Sequence, residues 1–214
     1  MFNDSLQHKG LRKRLVDTIK KKGISDQKIL DVIGKIPRHL FFETSFENFA
    51  YKDQAFPIEA GQTISQPFTV AFQTQLLQVK PNAKILEVGT GSGYQAAVLS
   101  ELGAQVFSIE RQRELFIRAQ QFLPLLGYHP RLFYGDGYKG LPTYGPFDGI
   151  IVTAGAPFIP DDLKEQLKTG GRMVIPVGPD KYQLMTLIIR IDENTFEQKE
   201  FGNFSFVRLL NGTI

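Results

Sequence analysis

Residues 84–94 read KILEVGTGSGY, and this stretch decides the fold class. An apolar run with the composition of a buried strand is followed by three alternating glycines, Gly89, Gly91 and Gly93, and then by a helical pattern from Tyr94. In open α/β sheets, ligands bind at the carboxyl ends of the strands, and glycine removes the Cβ atom that would block their approach. The stretch therefore predicts a strand, a loop that faces a ligand, and a helix.

After this stretch, apolar runs alternate with helical patterns as far as residue 177. This rhythm is typical of a parallel sheet that helices cover on both faces. The apolar runs read QVFSI, RLFY, FDGIIV and RMVIPV, and the helical patterns between them read YQAAVLSEL, RQRELFIRAQQFL and PDDLKEQL. Residues 184–201 then predict an antiparallel hairpin around a polar turn, and residues 204–210 predict a last strand. The fold class is α/β, with a mostly parallel, doubly wound sheet and an antiparallel C-terminal hairpin.

Two helices are expected before the sheet begins. Leu11, Leu15 and Ile19 recur at helical spacing. A second amphipathic stretch begins after the expected N-cap Ser25 and stops before Pro37. These helices would form an N-terminal helical extension of the sheet.

A long stretch without periodicity, residues 43–66, separates these helices from the next one. It collects aromatic side chains, which predicts an ordered loop over a surface. Ser65 is expected to be the N-cap of a helix that starts near Pro67.

We expect residues 1–214 to form a single domain, because their number suits one hydrophobic core. Within that domain, residues 1–80 form the helical segment on the substrate side.

The composition of the 214 residues excludes several classes of protein. No cysteine is present, which removes disulfide bonds, thiolate metal ligands and a cysteine nucleophile. No apolar run approaches the ~20 residues that cross a bilayer, and residues 1–14 lack the apolar core of a secretory signal. The net charge is +3, with ten Lys and Arg against four Asp and Glu in residues 1–40. We interpret that basic excess as a solvated helix flank, and we expect a cytoplasmic protein with no membrane and no stable nucleic acid partner.

The glycine loop departs from the dinucleotide-binding pattern G-x-G-x-x-G, because Tyr94 stands where the third glycine would fall. Glu87 lies two residues before the first glycine, where a carboxylate would repel a pyrophosphate at the helix N-terminus but attract a cationic amine. S-adenosyl-L-methionine offers such an amine, together with a sulfonium and no phosphate. The loop therefore favours S-adenosyl-L-methionine as cofactor over a nicotinamide dinucleotide, and a purely structural turn is the alternative.

Two further carboxylates stand at the ends of predicted strands. Glu110 closes the second strand of the sheet, where the diol of a ribose needs an acceptor. Asp136 follows the third strand between two glycines and is placed to accept from an adenine amino group. Either residue alone also fits a helix cap or a turn, but three carboxylates at successive strand ends, with Glu87, indicate a cofactor site. Asp148 begins a strand instead and is interpreted as structural.

No side chain in the sequence stands out as a general base. The three histidines, at positions 8, 39 and 129, are interpreted as separate surface residues. Asp161 and Asp162 begin a predicted helix, which explains them without a metal ion. A carboxylate acceptor has a pKa near ~4 and is already ionised at neutral pH, so methyl transfer to it needs positioning and no proton removal. The sequence therefore favours formation of a methyl ester and predicts no metal site.

Over nearly its whole length the chain resembles the protein-L-isoaspartate O-methyltransferases, which methylate the misplaced α-carboxylate of isoaspartyl residues. The most distinctive stretch is QTISQP at residues 62–67. The other similar stretches are Ile36-Pro37-Arg38 with Phe41, Glu87 to Tyr94, Gly135-Asp136-Gly137 and Phe147 to Pro157. The resemblance implies a Rossmann-like S-adenosylmethionine-dependent methyltransferase fold.

The resemblance also implies roles for individual residues. Ser65 would lie at the active site, with its hydroxyl near the acceptor carboxylate. The residues implied to approach the cofactor are Thr63, Gly89, Glu110, Asp136 and Gly137. The methyl ester would cyclise to a succinimide without help from the enzyme, and hydrolysis would return part of it to aspartate. The partners are then proteins and peptides that contain L-isoaspartyl residues, and a monomer is expected.

The C-terminal edge departs from the family pattern, because Arg208 replaces a proline in the stretch FSFVRL at residues 204–209. That edge is implicated in holding the substrate peptide. Two alternatives stay open: a related methyltransferase that acts on a small molecule or RNA, and a cofactor-binding module without catalysis. A methyl product that survives mild base would favour the first, and binding without turnover would favour the second.

Overall fold

The computed structural model describes residues 4–42, 44–179 and 181–214. The strands in these ranges are β1 (Phe56–Pro57), β2 (Thr63–Ile64), β3 (Lys84–Val88), β4 (Gln105–Glu110), β5 (Arg131–Tyr134), β6 (Phe147–Val152), β7 (Leu167–Val177), β8 (Gln183–Arg190) and β9 (Phe196–Phe204). Seven of them form one sheet in the order β5-β4-β3-β6-β7-β8-β9, and β1 pairs with β2 in a short antiparallel hairpin. The first five strands of the large sheet are parallel, whereas β8 and β9 are antiparallel. The predicted sheet and its C-terminal hairpin are confirmed.

Helices cover both faces of the sheet. In the described part of the chain they are α1 (Leu6–Lys21), α2 (Gln27–Lys35), α3 (Pro67–Leu77), α4 (Tyr94–Glu101), α5 (Arg113–Leu125) and α6 (Asp161–Glu165). The first two confirm the predicted N-terminal helical extension. Among the helices of the described residues, none combines the length and the apolar character that a membrane crossing requires.

The core consists of two hydrophobic clusters, one on each face of the sheet. Ile85 and Ile151 belong to the first cluster, whereas Leu86 and Ile150 belong to the second, because successive side chains of a strand point to opposite faces. The buried residues of α1 and α2 join the first cluster. This shared core supports our proposal that residues 1–214 form one methyltransferase domain, in which 1–80 is the N-terminal, substrate-side segment.

The loop predicted at residues 43–66 is ordered by short elements. Residue 43 lies outside the described residues. The following residues form 3₁₀ turns at Thr44–Phe49 and Glu59–Gly61, and the β1-β2 hairpin encloses the second turn. The hairpin brings residues 62–65 to the carboxyl edge of the large sheet, beside the glycine loop.

The last strand predicted at residues 204–210 is wrong. After the end of β9, Phe206 N donates to the side-chain oxygen of Gln183 at 3.0 Å, where a strand would continue the backbone ladder. The segment then forms only an isolated bridge between Gly155 and Arg208. It therefore leaves the sheet and crosses the carboxyl ends of the parallel strands.

Both predicted serine caps are wrong as well. Asp26 caps α2 in place of Ser25, because its carboxylate accepts from the first free backbone N–H groups of that helix. The helix α3 has no side-chain cap on its own N-cap residue. Asp53 supplies the acceptor from the preceding loop, where its Oδ1 takes the backbone N–H of Phe68 at 2.8 Å. The hydroxyl of Ser65 is therefore not used to begin the helix.

Candidate active site

A pocket lies where the strand order reverses, with β4 on one side of β3 and β6 on the other. Loops diverge from the carboxyl ends of the strands at such a point and leave a crevice for a ligand. The pocket contains about 740 Å³ of empty space, which includes open solvent at its mouth. Its walls are residues 62–65 and Val70, 88–92 with Tyr94 and Gln95, 109–111, Gly137, 153–154 and 207–210.

Six of the predicted site residues meet in this pocket: Thr63, Ser65, Gly89, Gly91, Glu110 and Gly137. They come from four separate parts of the chain, and the sheet and the hairpin bring them together. Glu87, Gly93 and Asp136 do not line the pocket, and their assignment to the cofactor stays a prediction.

Gly89 shows why this loop needs glycine. Its φ of 96° is left-handed, and a Cβ added there would stand 2.5 Å from Oγ1 of Thr153. The Thr153 hydroxyl donates to the carbonyl of Gly89 at 2.7 Å and so fixes the loop against β6. The backbone is thereby exposed to the pocket without a side chain in between.

Glu110 is buried and has both carboxylate oxygens held in place. Its Oε2 accepts from Gly91 N at 2.9 Å, and its Oε1 accepts from Gln112 N at 2.8 Å. A carboxylate offers about four lone-pair sites, so each oxygen can accept one more donor. Because Glu110 lines the pocket, those remaining sites suit two neighbouring hydroxyls of a ligand.

Glu87 is fully buried beneath the glycine loop. Ser108, its direct neighbour on β4, donates from Oγ to Glu87 Oε2 at 2.5 Å, and the hydroxyl of Thr90 lies 2.6 Å from Ser108 Oγ. Burial raises the pKa of Glu87 to about 8, and the nearby charge of Glu110 acts in the same direction. Thr90 lines the pocket and Glu87 does not, so Glu87 is connected to the ligand site through the hydroxyls of Ser108 and Thr90.

Gly93 and Asp136 support the walls of the pocket. Gly93 packs behind the loop, where an added Cβ would stand 2.9 Å from Leu123. The carboxylate of Asp136 accepts from Tyr138 N and from Gly212 N, each at 2.9 Å. The bond from Gly212 ties the C-terminal segment to the turn that carries Gly137.

Ser65 is half-buried and lies opposite the glycine loop. Its backbone carbonyl accepts from Nη2 of Arg38 at 2.9 Å, while Nε of the same guanidinium donates to Ala50 O at 2.9 Å. Arg38 is fully buried, and desolvation lowers its pKa to about 10. Its guanidinium carbon stands 4.6 Å from the ring centre of Tyr94. Arg38 thus connects the serine to the first residue of the helix that follows the glycine loop.

The interpretation of the histidines as separate surface residues is wrong for two of them. The rings of His8 and His39 have centroids 3.8 Å apart and planes tilted by 31°, and His39 is buried with its Nδ1 2.7 Å from the hydroxyl of Tyr51. Together with Asp4, they are the one group in the described ranges whose ligand atoms are close enough for a metal ion. Arg12 donates to both oxygens of Asp4 at 3.0 Å, and Nδ1 of His39 already has the Tyr51 hydroxyl as a partner. This geometry gives no support to a metal site.

The other acidic residues that the sequence set aside have structural partners. Asp148 accepts from the backbone of Lys84 at 2.7 Å and pairs with Lys168 at 2.7 Å. Asp161 stands in the first turn of α6 and pairs with Lys164 at 2.6 Å. The structural interpretation of Asp148 is confirmed.

Comparison with known proteins finds relatives that align over nearly the full length of the chain. The chain is 62% identical over 210 residues to protein-L-isoaspartate O-methyltransferases from Christiangramia forsetii and from Flavobacterium johnsoniae, and each alignment covers 98% of both chains. A solved structure of a protein-L-isoaspartate O-methyltransferase has a TM-score of 0.83 and 30% identity, over 92% of this chain and 65% of that one.

A second solved structure, from Plasmodium falciparum and in complex with S-adenosyl-L-homocysteine, has the same fold. Its TM-score is 0.80 at 24% identity, over 93% of this chain and 98% of that one. The family model for protein-L-isoaspartate(D-aspartate) O-methyltransferase (PCMT) matches residues 10–213. The chain therefore belongs to the protein-L-isoaspartate(D-aspartate) O-methyltransferase family.

Proposed function

We propose that this chain transfers a methyl group from S-adenosyl-L-methionine to the free α-carboxylate of L-isoaspartyl residues in damaged proteins and peptides. The observation that carries the proposal is that one pocket joins Ser65 to the glycine loop and to Glu110. Ser65 is on the proposed acceptor side of the reaction, and the glycine loop and Glu110 are on the proposed cofactor side. The methyl ester then cyclises to a succinimide outside the enzyme, which begins the repair.

The residues present fit this cofactor. The loop at Gly89 and Gly91 presents bare backbone, and a Cβ at Gly89 would collide with Thr153. Glu110 offers two free acceptor sites to the ribose diol, and Thr63 and Gly137 complete the walls. Glu87, Gly93 and Asp136 do not line the pocket, and in our proposal they act on the cofactor by supporting this loop and its neighbours.

When bound, the cofactor supplies a methyl group on a sulfonium, which an aligned carboxylate oxygen displaces. The chain has to orient that carboxylate, and no proton needs to be removed from it. The hydroxyl of Ser65, which no helix cap occupies, donates a hydrogen bond to the acceptor carboxylate in our proposal. Residues 207–210 and 62–65 close two sides of the pocket and limit the access of water to it.

The partners in this proposal are proteins and peptides with L-isoaspartyl residues, and neither a nucleic acid nor a second copy of the chain is needed. The residues that we assign to the site all belong to one chain, and we propose a monomeric enzyme. We propose the cytoplasm as its compartment. The fold does not depend on disulfide bonds, since the chain has no cysteine, and it therefore suits a reducing environment.

The test uses two peptides that differ only in an aspartyl or an isoaspartyl linkage. Each is incubated with the protein and methyl-labelled cofactor, and the label released by mild base is counted. We expect base-labile label on the isoaspartyl peptide alone. Label that survives base would favour a different acceptor, and cofactor binding without label on either peptide would favour a non-catalytic module.

A further inference from the structure

A second groove adjoins the cofactor pocket and shares Thr63 and Ser65 with it. It lies between α3 and the end of β9 and contains about 1310 Å³ of empty space, including open solvent. Five aromatic residues line it: Phe68, Phe72, Tyr182, Phe204 and Phe206. We call this surface the aromatic groove.

Three of the rings form a stacked platform. Phe72 lies 5.3 Å from Phe204 and 5.7 Å from Phe68, measured between ring centroids, and the rings of Phe68 and Phe204 are parallel within 6°. Each of these residues is half-buried, so one part of its ring packs on the protein while another part faces the groove. Tyr182 is 60% exposed at the opposite side. Mutual packing fixes the platform in advance of binding, which lowers the entropic cost of placing a ligand on it.

Charge is absent from the lining of the groove within the described ranges. Lys22 lies beside the groove, where its Nζ is 5.7 Å from the ring centre of Phe68 and pairs with Asp53 at 2.6 Å. An uncharged, aromatic surface recognises apolar side chains.

Thr63 and Ser65, which line both the pocket and the groove, indicate which ligand enters the groove. In an isoaspartyl residue the chain continues through the side-chain carboxyl, so the α-carboxylate is a branch and the chain leaves it in two directions. When the α-carboxylate of the substrate lies at Ser65, one of the two peptide segments that continue from the isoaspartyl residue passes over the aromatic groove, because Ser65 also lines that groove. This step rests on the proposed function.

We propose that the aromatic groove binds an apolar side chain that lies within two residues of the isoaspartyl residue, and that it thereby selects the substrate. Large apolar side chains are mostly buried in folded proteins. The groove consequently favours damaged segments that have lost their native packing, in which both the carboxylate and its apolar neighbour are exposed.

The test uses two pairs of isoaspartyl peptides. Within each pair the peptides differ only in having Leu or its near-isostere Asn at one position. That position precedes the isoaspartyl residue in the first pair and follows it in the second. The measured quantities are kcat, KM and, with S-adenosylhomocysteine present, the Kd from fluorescence anisotropy. For one of the two positions we expect Leu to be favoured about four- to twelvefold in KM and Kd, as half-burial of a Leu side chain predicts. The kcat values should be alike.

Two variants place this preference in the groove. Tyr182→Ala and Phe204→Ala should bring the ratio of Leu to Asn peptides close to one and leave the Kd of the Asn peptide unchanged. Phe158→Ala is the matched control, because Phe158 is 59% exposed and lies outside the groove. Thermal melting verifies that each variant is folded.

Several outcomes would overturn the proposal: no preference in the wild type, a preference that survives both groove substitutions, or an equal loss in Phe158→Ala. A groove that instead joins two copies of the chain would appear as a dimer in sedimentation that Tyr182→Ala dissociates, with the peptide preference intact. The Kd separates this proposal from the proposed function, because peptide binding is measurable even if no methyl group is transferred.

Discussion

Arg38 donates a hydrogen bond of 2.9 Å to the backbone carbonyl of Ser65, from a guanidinium that is itself fully buried. A second bond from Arg38 reaches the carbonyl of Ala50, so one side chain joins the loop before β1 to the residue proposed to meet the substrate. Burying an arginine is unfavourable unless its donors are paired. We therefore interpret Arg38 as a positioning residue for Ser65.

Arg38→Lys should lower kcat at a temperature well below the melting range. Lysine has a single ammonium and cannot hold both carbonyls in the fixed geometry of a guanidinium. The expected stability loss is about 1 to 3 kcal/mol, from a buried acceptor that loses its partner. Arg12→Lys is the control, because Arg12 is also buried and bonds to Gly34 O at 2.7 Å but does not touch Ser65. Equal losses of kcat in both variants would show that Arg38 acts through stability alone.

Glu110→Ala should weaken cofactor binding by about ten- to a hundredfold, since two ligand hydroxyls lose a charged acceptor. Glu110→Gln keeps one acceptor oxygen and should lie between the wild type and the alanine variant. Isothermal titration calorimetry gives the three values of Kd. Glu114→Gln, on the exposed first turn of α5, controls for the change in local charge. Unchanged affinity in folded Glu110→Ala would remove Glu110 from the site.

Glu87→Gln should change the pH dependence of stability and leave the cofactor Kd within a few fold. The folded-state pKa of Glu87 is raised to about 8 from an ordinary value of 4.5, so the folded state binds the extra proton between these values. The unfolded state has lost that proton, and stability therefore falls as the pH rises from about 4.5 through about 8.

Glutamine stays neutral, so the melting temperature of Glu87→Gln should gain on that of the wild type between pH 6 and pH 9. Circular dichroism melts at the two pH values measure the difference. Parallel curves would contradict a buried, protonated Glu87. A hundredfold loss of cofactor affinity would instead show that an ionised Glu87 contacts the amine directly.

The sheet could be predicted because its signals are local. The glycine loop follows KILEV directly, and the β8-β9 hairpin follows from two apolar or alternating runs with a polar turn between them. Glu110 was placed correctly for the same reason, as the last residue of its strand.

The errors arise where distant residues decide the outcome. Glu87 lies within β3, where Ser108 of the paired strand bonds to its buried carboxylate, and its assignment to the cofactor stays a prediction. Asp53, which lies in a separate loop, accepts the hydrogen bond at the start of α3 that was expected to go to Ser65. His8 and His39 meet only because α1 packs near the turn that follows α2. No spacing in the sequence reports such contacts.

The turnover of Ser65→Ala on an isoaspartyl peptide tests the account most directly, measured beside the Kd of the cofactor. If the hydroxyl orients the acceptor carboxylate, kcat should fall about ten- to a hundredfold, the effect of losing one hydrogen bond to a charged group, while Kd stays within a few fold. The melting temperature should hardly change, because Ser65 does not cap α3. A kcat close to that of the wild type would contradict the assignment of Ser65 to the active site.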